Sequence, residues 1–319
     1  SLRTSVLNNC KARIAPPHRS GEREGHHCVR PGFRALSSGA SIGAMSRTKR
    51  SFAVTKISAD GTRDTRAGQV AVEEPLEVRA GGKSVATLMR TPGNDIELAH
   101  GWLYAEGLIS SPNDVTTARY CAGAVGPEGE NTYNLLDIDL AGTAAPITPD
   151  LIRLTTTTSA CGACGTQSIS ELLHRTHAPI EPVALDPNLV MALPGKLRQG
   201  QKQFRKTGGI HAAGAFDLDG NALVIREDIG RHNAADKVIG HLLLENKLPA
   251  KDTILVMSSR ASFELVQKAA MAGFPALVAV SAASSLAVEL ARQAGMALAG
   301  FAREGRFNLY AGALAEGRR

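Results

Sequence analysis

Apolar and polar residues alternate along 76–80, and an apolar-rich run, Ser84-Val-Ala-Thr-Leu-Met, follows after Gly81-Gly82. Two such runs around a glycine pair predict a β-hairpin, because glycine takes the positive φ values of a tight turn. Thr91-Pro92-Gly93 ends it, and the period then changes. Ile96, Leu98, Ala99, Trp102, Leu103 and Leu108 follow helical spacing behind Asn94-x-x-Glu97, a capping-box pattern. Strands are predicted over 116–122 and 132–140. In the second, the phase shifts from Tyr133 and Leu135 to Ile138 and Leu140, which predicts a bulge near Leu136-Asp137. With the Ala-, Thr- and Pro-rich linker 141–149, residues 51–149 read as a small α+β region.

Ser168-x-x-Glu171 ahead of Leu172-Leu173 predicts a helix over 168–176. An extended link through Pro179, Pro182 and Pro187 follows, then a polar helix reaching Phe204. Residues 150–206 thus form a loop and helical connection. From 207 to 319 the pattern is more regular. Strands over 210–218 and 223–227 flank an Asp219-Gly220 turn. Helix 233–245, buried strand 253–257, a helix from Ser262 to Gly273, buried strand 276–281 and helix 285–294 follow, then strands 296–301 and 308–310. That order predicts an α/β fold, a three-layer α/β/α sandwich around a mainly parallel sheet.

Charge changes the picture at one end. Residues 1–50 carry ten Lys/Arg against two Glu, so the net +6 belongs to this arm and the remainder is slightly acidic. The arm lacks periodicity and reads as a disordered basic leader, with Met45 as a candidate start and a transit peptide as the alternative. The folded part gives no global signal for nucleic acid. No apolar run approaches the roughly 18 residues that span a bilayer, so no membrane is expected. Five cysteines, an odd and scattered set, are not a disulfide framework, and a reducing, cytoplasmic location is expected.

The chemistry concentrates in Thr158-Ser159-Ala160-Cys161-Gly162-Ala163-Cys164-Gly165. Small neighbours let a bulky ligand or another backbone approach the sulfurs. A helix start just beyond supplies unpaired amides and a positive dipole end that favour a thiolate. A structural zinc site needs four ligands, and only His174 and His177 lie at hand, so no metal is expected. Thiol–disulfide exchange and a sulfur-carrying nucleophile both remain open. Thr207-Gly208-Gly209-Ile210-His211 offers a glycine turn and a candidate base or hydrogen-bond donor. Zinc deamination would require a glutamate two residues after the histidine, and Ala213 stands there. Asp228-Ile229-Gly230-Arg231-His232 lies between a strand and a helix and suits an anion, with Arg231 and His232 beside helix amides. Ser259-Arg260 and Ser281 repeat that layout after the next two strands. Phe301-Ala302-Arg303-Glu304-Gly305-Arg306 adds an aromatic face and two guanidiniums. Strand ends are where α/β folds bind ligands, so one phosphate-rich ligand across this edge is expected. No dinucleotide fingerprint or phosphate loop is present.

Taken in order, Glu74-Pro75-Leu76, Arg90-Thr91-Pro92-Gly93-x-Asp95-x-Glu97-Leu98-Ala99, Cys161-Gly162-x-Cys164-Gly165 and Gly209-x-His211-Ala212 resemble one family. So do Glu227-Asp228-x-Gly230-Arg231-His232-Asn233, Ser259-Arg260-Ala261-Ser262, Ala279-Val280-Ser281 and Gly300-Phe301. This is the formate dehydrogenase accessory sulfurtransferases, the FdhD/NarQ family, and the resemblance runs from about Glu74 to Tyr310. It implies a cytidine-deaminase-like fold, a homodimer, and a sulfurtransferase. Such a protein takes sulfane sulfur from a cysteine desulfurase as a persulfide. It delivers that sulfur to the bis(molybdopterin guanine dinucleotide) form of the molybdenum cofactor, destined for formate dehydrogenase. The persulfide cysteine maps onto Cys161, with Cys164 as its accessory, and the cofactor stretch maps onto Phe301–Arg306. Guanine nucleotides are expected to mimic the cofactor, and Asp228 is a candidate for selecting guanine. A cofactor chaperone without sulfur transfer is the alternative, as is a thiol–disulfide oxidoreductase.

Overall fold

The computed structural model describes residues 48–121, 132–147 and 173–316. Two antiparallel hairpins come first: β1 (Lys49–Ile57) with β2 (Arg63–Ala71), and β3 (Glu74–Ala80) with β4 (Lys83–Arg90). Gly81 and Gly82 turn the second hairpin with φ of 57° and 75°, the left-handed values that glycine reaches at little cost. β1 is exposed along its whole length, whereas Leu76, Val78 and Ala80 of β3 are buried. β3 pairs in parallel with β6 (Leu135–Leu140), and β5 (Val115–Tyr120) closes the sheet in the order β4-β3-β6-β5.

Two local expectations fail here. The bulge at Leu136-Asp137 does not form. β6 starts at Leu135 and turns Leu136 and Ile138 inward, while Tyr133 precedes it at φ 54°, so the apparent change of phase is the strand's start. The Asn94 cap also fails. Asn94 is left-handed at φ 57° and its side chain caps nothing. The entry to helix α1 (Asp95–Ala105) is held instead by Arg90, which donates to both Asp95 oxygens at 3.1 and 3.0 Å.

The second half contains β7 (Ala184–Leu185), α2 (Pro187–Gly200), α3 (Phe204–Thr207), β8 (His211–Asp217), β9 (Ala222–Asp228) and α4 (Arg231–Leu244). Then come β10 (Thr253–Met257), α5 (Phe263–Met271), β11 (Ala276–Ala279), α6 (Ser285–Ala294), β12 (Ala297–Arg303), β13 (Arg306–Ala311) and the short β14 (Ala313–Leu314). The main sheet runs β13-β12-β11-β10-β8-β9. Only β10, β11 and β12 are mutually parallel. β8, β9 and β13 run antiparallel to their neighbours; hairpins join β8 to β9 and β12 to β13, and the return through α4 lays β10 antiparallel on the other side of β8. The mainly parallel sheet of the sequence reading is thus a parallel centre with antiparallel flanks. The single predicted helix ending at Phe204 is two, α2 and α3. The Glu227 carboxylate accepts the Gln203 and Phe204 amides at 2.8 Å each and so starts α3.

The strand period builds the layers. Along β10, Leu255 and Met257 join a core shared with α1, α4, α5 and α6, while Ile254 and Val256 join a second core under α2. The fold is therefore mixed α/β, with helices on both faces of the main sheet. α1 and α4 cross at Gly101 and Gly240. A Cβ on either would stand 1.8 Å from a backbone oxygen of the other helix, so only glycine permits the approach. Among the described residues no helix is long and apolar enough to cross a membrane. Most of the expected leader, the predicted start of helix 168–176, and both Cys161 and Cys164 lie outside the described residues.

Candidate functional site

The ends of β10, β11 and β12 and the start of β8 share one edge of the main sheet. Their loops are latched to one another. Ser258 Oγ accepts the Ala212 amide at 2.8 Å, Ser281 N donates to Ser259 O at 3.3 Å, and Phe301 N donates to Ser281 O at 3.0 Å. Gly300 is required in this rim, since a Cβ there would lie 2.9 Å from Ser281 O. The next residue, Phe301, takes φ 51°, a conformation a bulky side chain rarely adopts outside functional sites. β12 and β13 lose register between Gly300 and Arg303 and pair again at Arg303 and Arg306, flanking the turn at 304–305.

Facing this edge, α2 and α3 close a cavity of about 1170 Å³. It brings together Gly209, His211, Ala302, Arg303, Glu304 and Gly305 of the sequence-predicted residues. The opposite wall was not anticipated: Arg198, Gln201 and Phe204 line it. The Arg198 guanidinium lies 3.8 Å from the Phe204 ring centroid, a cation–π stack that offers a flat, positively charged surface. Burial pushes the His211 imidazole down from its ordinary value, and electrostatic repulsion from Arg231 and His232 pushes it the same way, against Asp228. His211 is thus held neutral at neutral pH, able to donate from one ring nitrogen and accept at the other.

Six predicted residues stand outside the cavity lining. Phe301 and Arg260 are exposed on the rim, Arg306 is exposed opposite Arg303 in β13, and Ser281 serves the latch. His232 Nε2 is 2.7 Å from Glu264, facing α5. Arg231 has its Nε buried and, among the described residues, without a hydrogen-bond partner. Asp228 cannot select guanine as the sequence suggested. It is fully buried, accepts from Thr91 N, Gly230 N and Asn233 Nδ2 at 3.1, 2.8 and 3.0 Å, and lies 2.6 Å from Lys237 Nζ. Lys237 also donates to Thr91 O at 2.9 Å, and Asn233 to Met89 O at 2.7 Å. The Arg90–Asp95 and Glu227–Asn233 motifs are therefore the two halves of a buried clamp that joins the small sheet to the main one.

Cys121 donates to Asp137, and that carboxylate, with burial, pushes its thiol up. It is no candidate nucleophile. Among the described residues no group of three or more His, Cys, Asp or Glu is placed to hold a metal ion.

Residues 71–315 match the model of the FdhD/NarQ family. The chain is 56% identical over 276 residues to the sulfur carrier protein FdhD of Corynebacterium efficiens, covering 85% of this chain and all of that one. It is 52% identical over 250 residues to the protein of that name from Nocardia farcinica, covering 78% and 88%. A crystal structure from Desulfotalea psychrophila, of a protein assigned as a formate dehydrogenase accessory protein, superposes with a TM-score of 0.65. It covers 83% of this chain and 97% of its own at 22% identity, which supports the fold. On the family match and these identities, the chain belongs to the FdhD/NarQ family.

Proposed function

We propose that this protein is a sulfurtransferase: it carries sulfane sulfur as a persulfide on Cys161 from a cysteine desulfurase to the molybdenum cofactor. The acceptor is the bis(molybdopterin guanine dinucleotide) form, as substrate, and the recipient of the finished cofactor is formate dehydrogenase. The reading is supported above all by a relative 56% identical over its full length that is named a sulfur carrier. The protein acts in the cytoplasm as a homodimer, without nucleic acid, membrane or structural metal.

In the first step the Cys161 thiolate attacks the outer sulfur of the desulfurase persulfide. A new S–S bond forms on Cys161 and the desulfurase thiolate leaves. A persulfide is a stronger acid and a better sulfur donor than a thiol, and the small residues beside Cys161 give it room to meet two partners. Cys164 is the candidate for discharge. Its thiolate attacks the Cys161 sulfur, the terminal sulfur leaves as hydrosulfide, and a Cys161–Cys164 disulfide remains for a cellular dithiol to reduce.

The cavity fits the acceptor's chemistry. Its volume of about 1170 Å³ exceeds the ~300–1,000 Å³ of common small-ligand sites. Arg198 and Arg303 are placed for pyrophosphate oxygens, and the Arg198–Phe204 stack for a flat heterocycle. Neutral His211 adds a hydrogen bond without adding charge.

The same cavity would serve a chaperone that only holds the cofactor, and one experiment separates the two. Intact-mass spectrometry after incubation with a desulfurase and cysteine should show one added sulfur, about 32 Da, in the wild type and none in Cys161→Ala. Cys161→Ala should also fail to activate formate dehydrogenase while still binding guanosine diphosphate. Full activation by Cys161→Ala would refute sulfur transfer and leave the chaperone.

A further inference from the structure

The folded part of the chain is electrically balanced yet strongly polarised. Residues 49–319 hold 28 Lys/Arg and 28 Asp/Glu. Two short segments hold ten of those cations and only two of the carboxylates. Residues 49–71 carry Lys49, Arg50, Lys56, Arg63 and Arg66 against Asp60 and Asp64, and residues 196–206 carry Lys196, Arg198, Lys202, Arg205 and Lys206 against none. Folding puts the segments side by side, since β2 lies against α3. The face they form has about +8 of charge, balanced by about −8 over the rest of the fold, and it adjoins the cavity wall at Arg198 and Phe204.

These cations are not committed to internal structure. All but Lys196 are exposed. Lys196 donates to Gly220 O and Arg205 to Gln199 O, both carbonyls, and Arg66 pairs with Asp64. Among the described residues Arg50, Lys56, Arg63, Arg198, Lys202, Arg205 and Lys206 have no carboxylate partner. Like charges gathered without counter-charges repel one another, so the face costs stability unless an anion covers it.

Two further features say what kind of anion. The β1–β2 hairpin is a two-stranded sheet that pairs with no other strand among the described residues. The nine-residue β1 therefore presents free backbone donors and acceptors, which match another polypeptide backbone and neither a phosphodiester nor a lipid surface. Phe52, Val54 and Val70 share one face of that hairpin with Arg50 and are 51%, 43% and 44% exposed. Aromatic and aliphatic anchors among arginines are the composition of protein interfaces. A second copy of this chain would bring +8 against +8, so self-association through this face is disfavoured.

We propose that the hairpin and α3 form the docking surface for an acidic surface of the protein that receives the cargo from the adjoining cavity. This rests on the function proposed above: a recipient must sit at the cavity mouth, and this face borders it. Opposite charge steers the recipient to that mouth and raises the encounter rate.

The test uses the full chain carrying Lys202→Glu, Arg205→Glu and Lys206→Glu, and a second variant with Arg50→Glu, Lys56→Glu and Arg63→Glu in the hairpin. The initial rate of activation of cofactor-free formate dehydrogenase is measured from low to high salt. The wild-type rate should fall as salt rises. Each variant should be about tenfold or more slower at low salt and converge on the wild type near 0.5 M, where charges are screened within about 4 Å. Sulfur loading by the desulfurase and guanosine diphosphate binding should stay at wild-type levels in both. Their loss in the wild type itself would count against the function reading, not against the docking face. Unchanged, salt-independent activation by both variants overturns the docking face. So does a change of sedimentation in the variants with activation unaltered, which would assign the face to a second copy. Binding of duplex DNA or of anionic phosphatidylserine vesicles by the wild type, lost in the variants while activation is unaltered, overturns it equally.

Discussion

Two regions of this molecule look alike in sequence and differ in the fold. Both the Arg90–Asp95 and Asp228–Lys237 stretches and the Gly209–His211 and Arg303–Gly305 stretches are dense in charged groups and glycine. In the first pair every partner is internal. Arg90 is 1% exposed and Asp228 is 0% exposed, and each makes several hydrogen bonds within the chain. In the second pair Arg303 and Glu304 are exposed and, with His211, face an open cavity. Saturation, not polarity, separates a clamp from a binding site: a buried charge is retained only when its partners are built in, whereas a binding group keeps donors free.

The largest expected effect breaks the clamp. Asp228→Ala removes the carboxylate facing Lys237 and leaves that ammonium buried without its counter-charge. Removing one partner of a buried pair costs about 3–5 kcal/mol. Urea unfolding should show a midpoint shift of that size. A loss below about 1 kcal/mol would mean the clamp is solvated in solution and the contrast with the cavity is false.

An intermediate effect sharpens the other side. Arg303→Ala and Arg198→Ala should each leave unfolding free energy within about 0.5 kcal/mol of wild type, as exposed side chains do. Each should weaken guanosine diphosphate binding about tenfold, the worth of one charge-assisted hydrogen bond, read by isothermal titration calorimetry. Phe301→Ala should relieve little and cost little in stability, but its effect on binding tests whether the rim outside the cavity touches ligand. If both arginine variants bind as the wild type does, the ligand is held elsewhere.

The sequence carries the second half of the fold well, because its strands are short apolar runs bounded by glycine turns and capped helices. The strand over 253–257 and the helix over 285–294 appear as read. The first half is less transparent. Asn94 looks like a cap, yet the buried Arg90–Asp95 pair decides where α1 starts, and a contact between side chains five residues apart leaves no periodic trace. The apparent bulge in 132–140 fails because Tyr133, at φ 54°, lies ahead of the strand and not in it. At the site, Gly209, His211 and Arg303–Gly305 were visible as loop residues at strand ends. Arg198, Gln201 and Phe204 were not. They reach the cavity only because α2 packs across the far face of the sheet through Val190, Leu193 and Leu197, a long-range placement that local pattern cannot encode. Asp228 misled for the converse reason: nothing local distinguishes a saturated carboxylate from a free one.

The smallest effect probes a titratable group that lies between the two regions. His211 lines the cavity yet feels Asp228 of the clamp, and burial, Arg231 and His232 hold its folded value below the usual 6.5. In stability alone the sign is fixed. The unfolded chain takes up a proton near pH 6.5 while folded His211 resists it, so stability falls as pH drops through 6.5 toward the lower folded value, and is unaffected above it. Buried His100 and half-buried His177 act in the same direction. Binding gives the opposite sign if phosphate sits beside the ring. An anion raises the imidazole's affinity for a proton, so guanosine diphosphate should bind more tightly at pH 6 than at pH 8, relative to His211→Asn measured at the same two values. Using the variant as reference removes the titration of the nucleotide's own phosphate. No difference between wild type and variant would place the base, and not the phosphates, against His211, and the anion contacts would then fall to Arg303 and Arg198 on the outer walls.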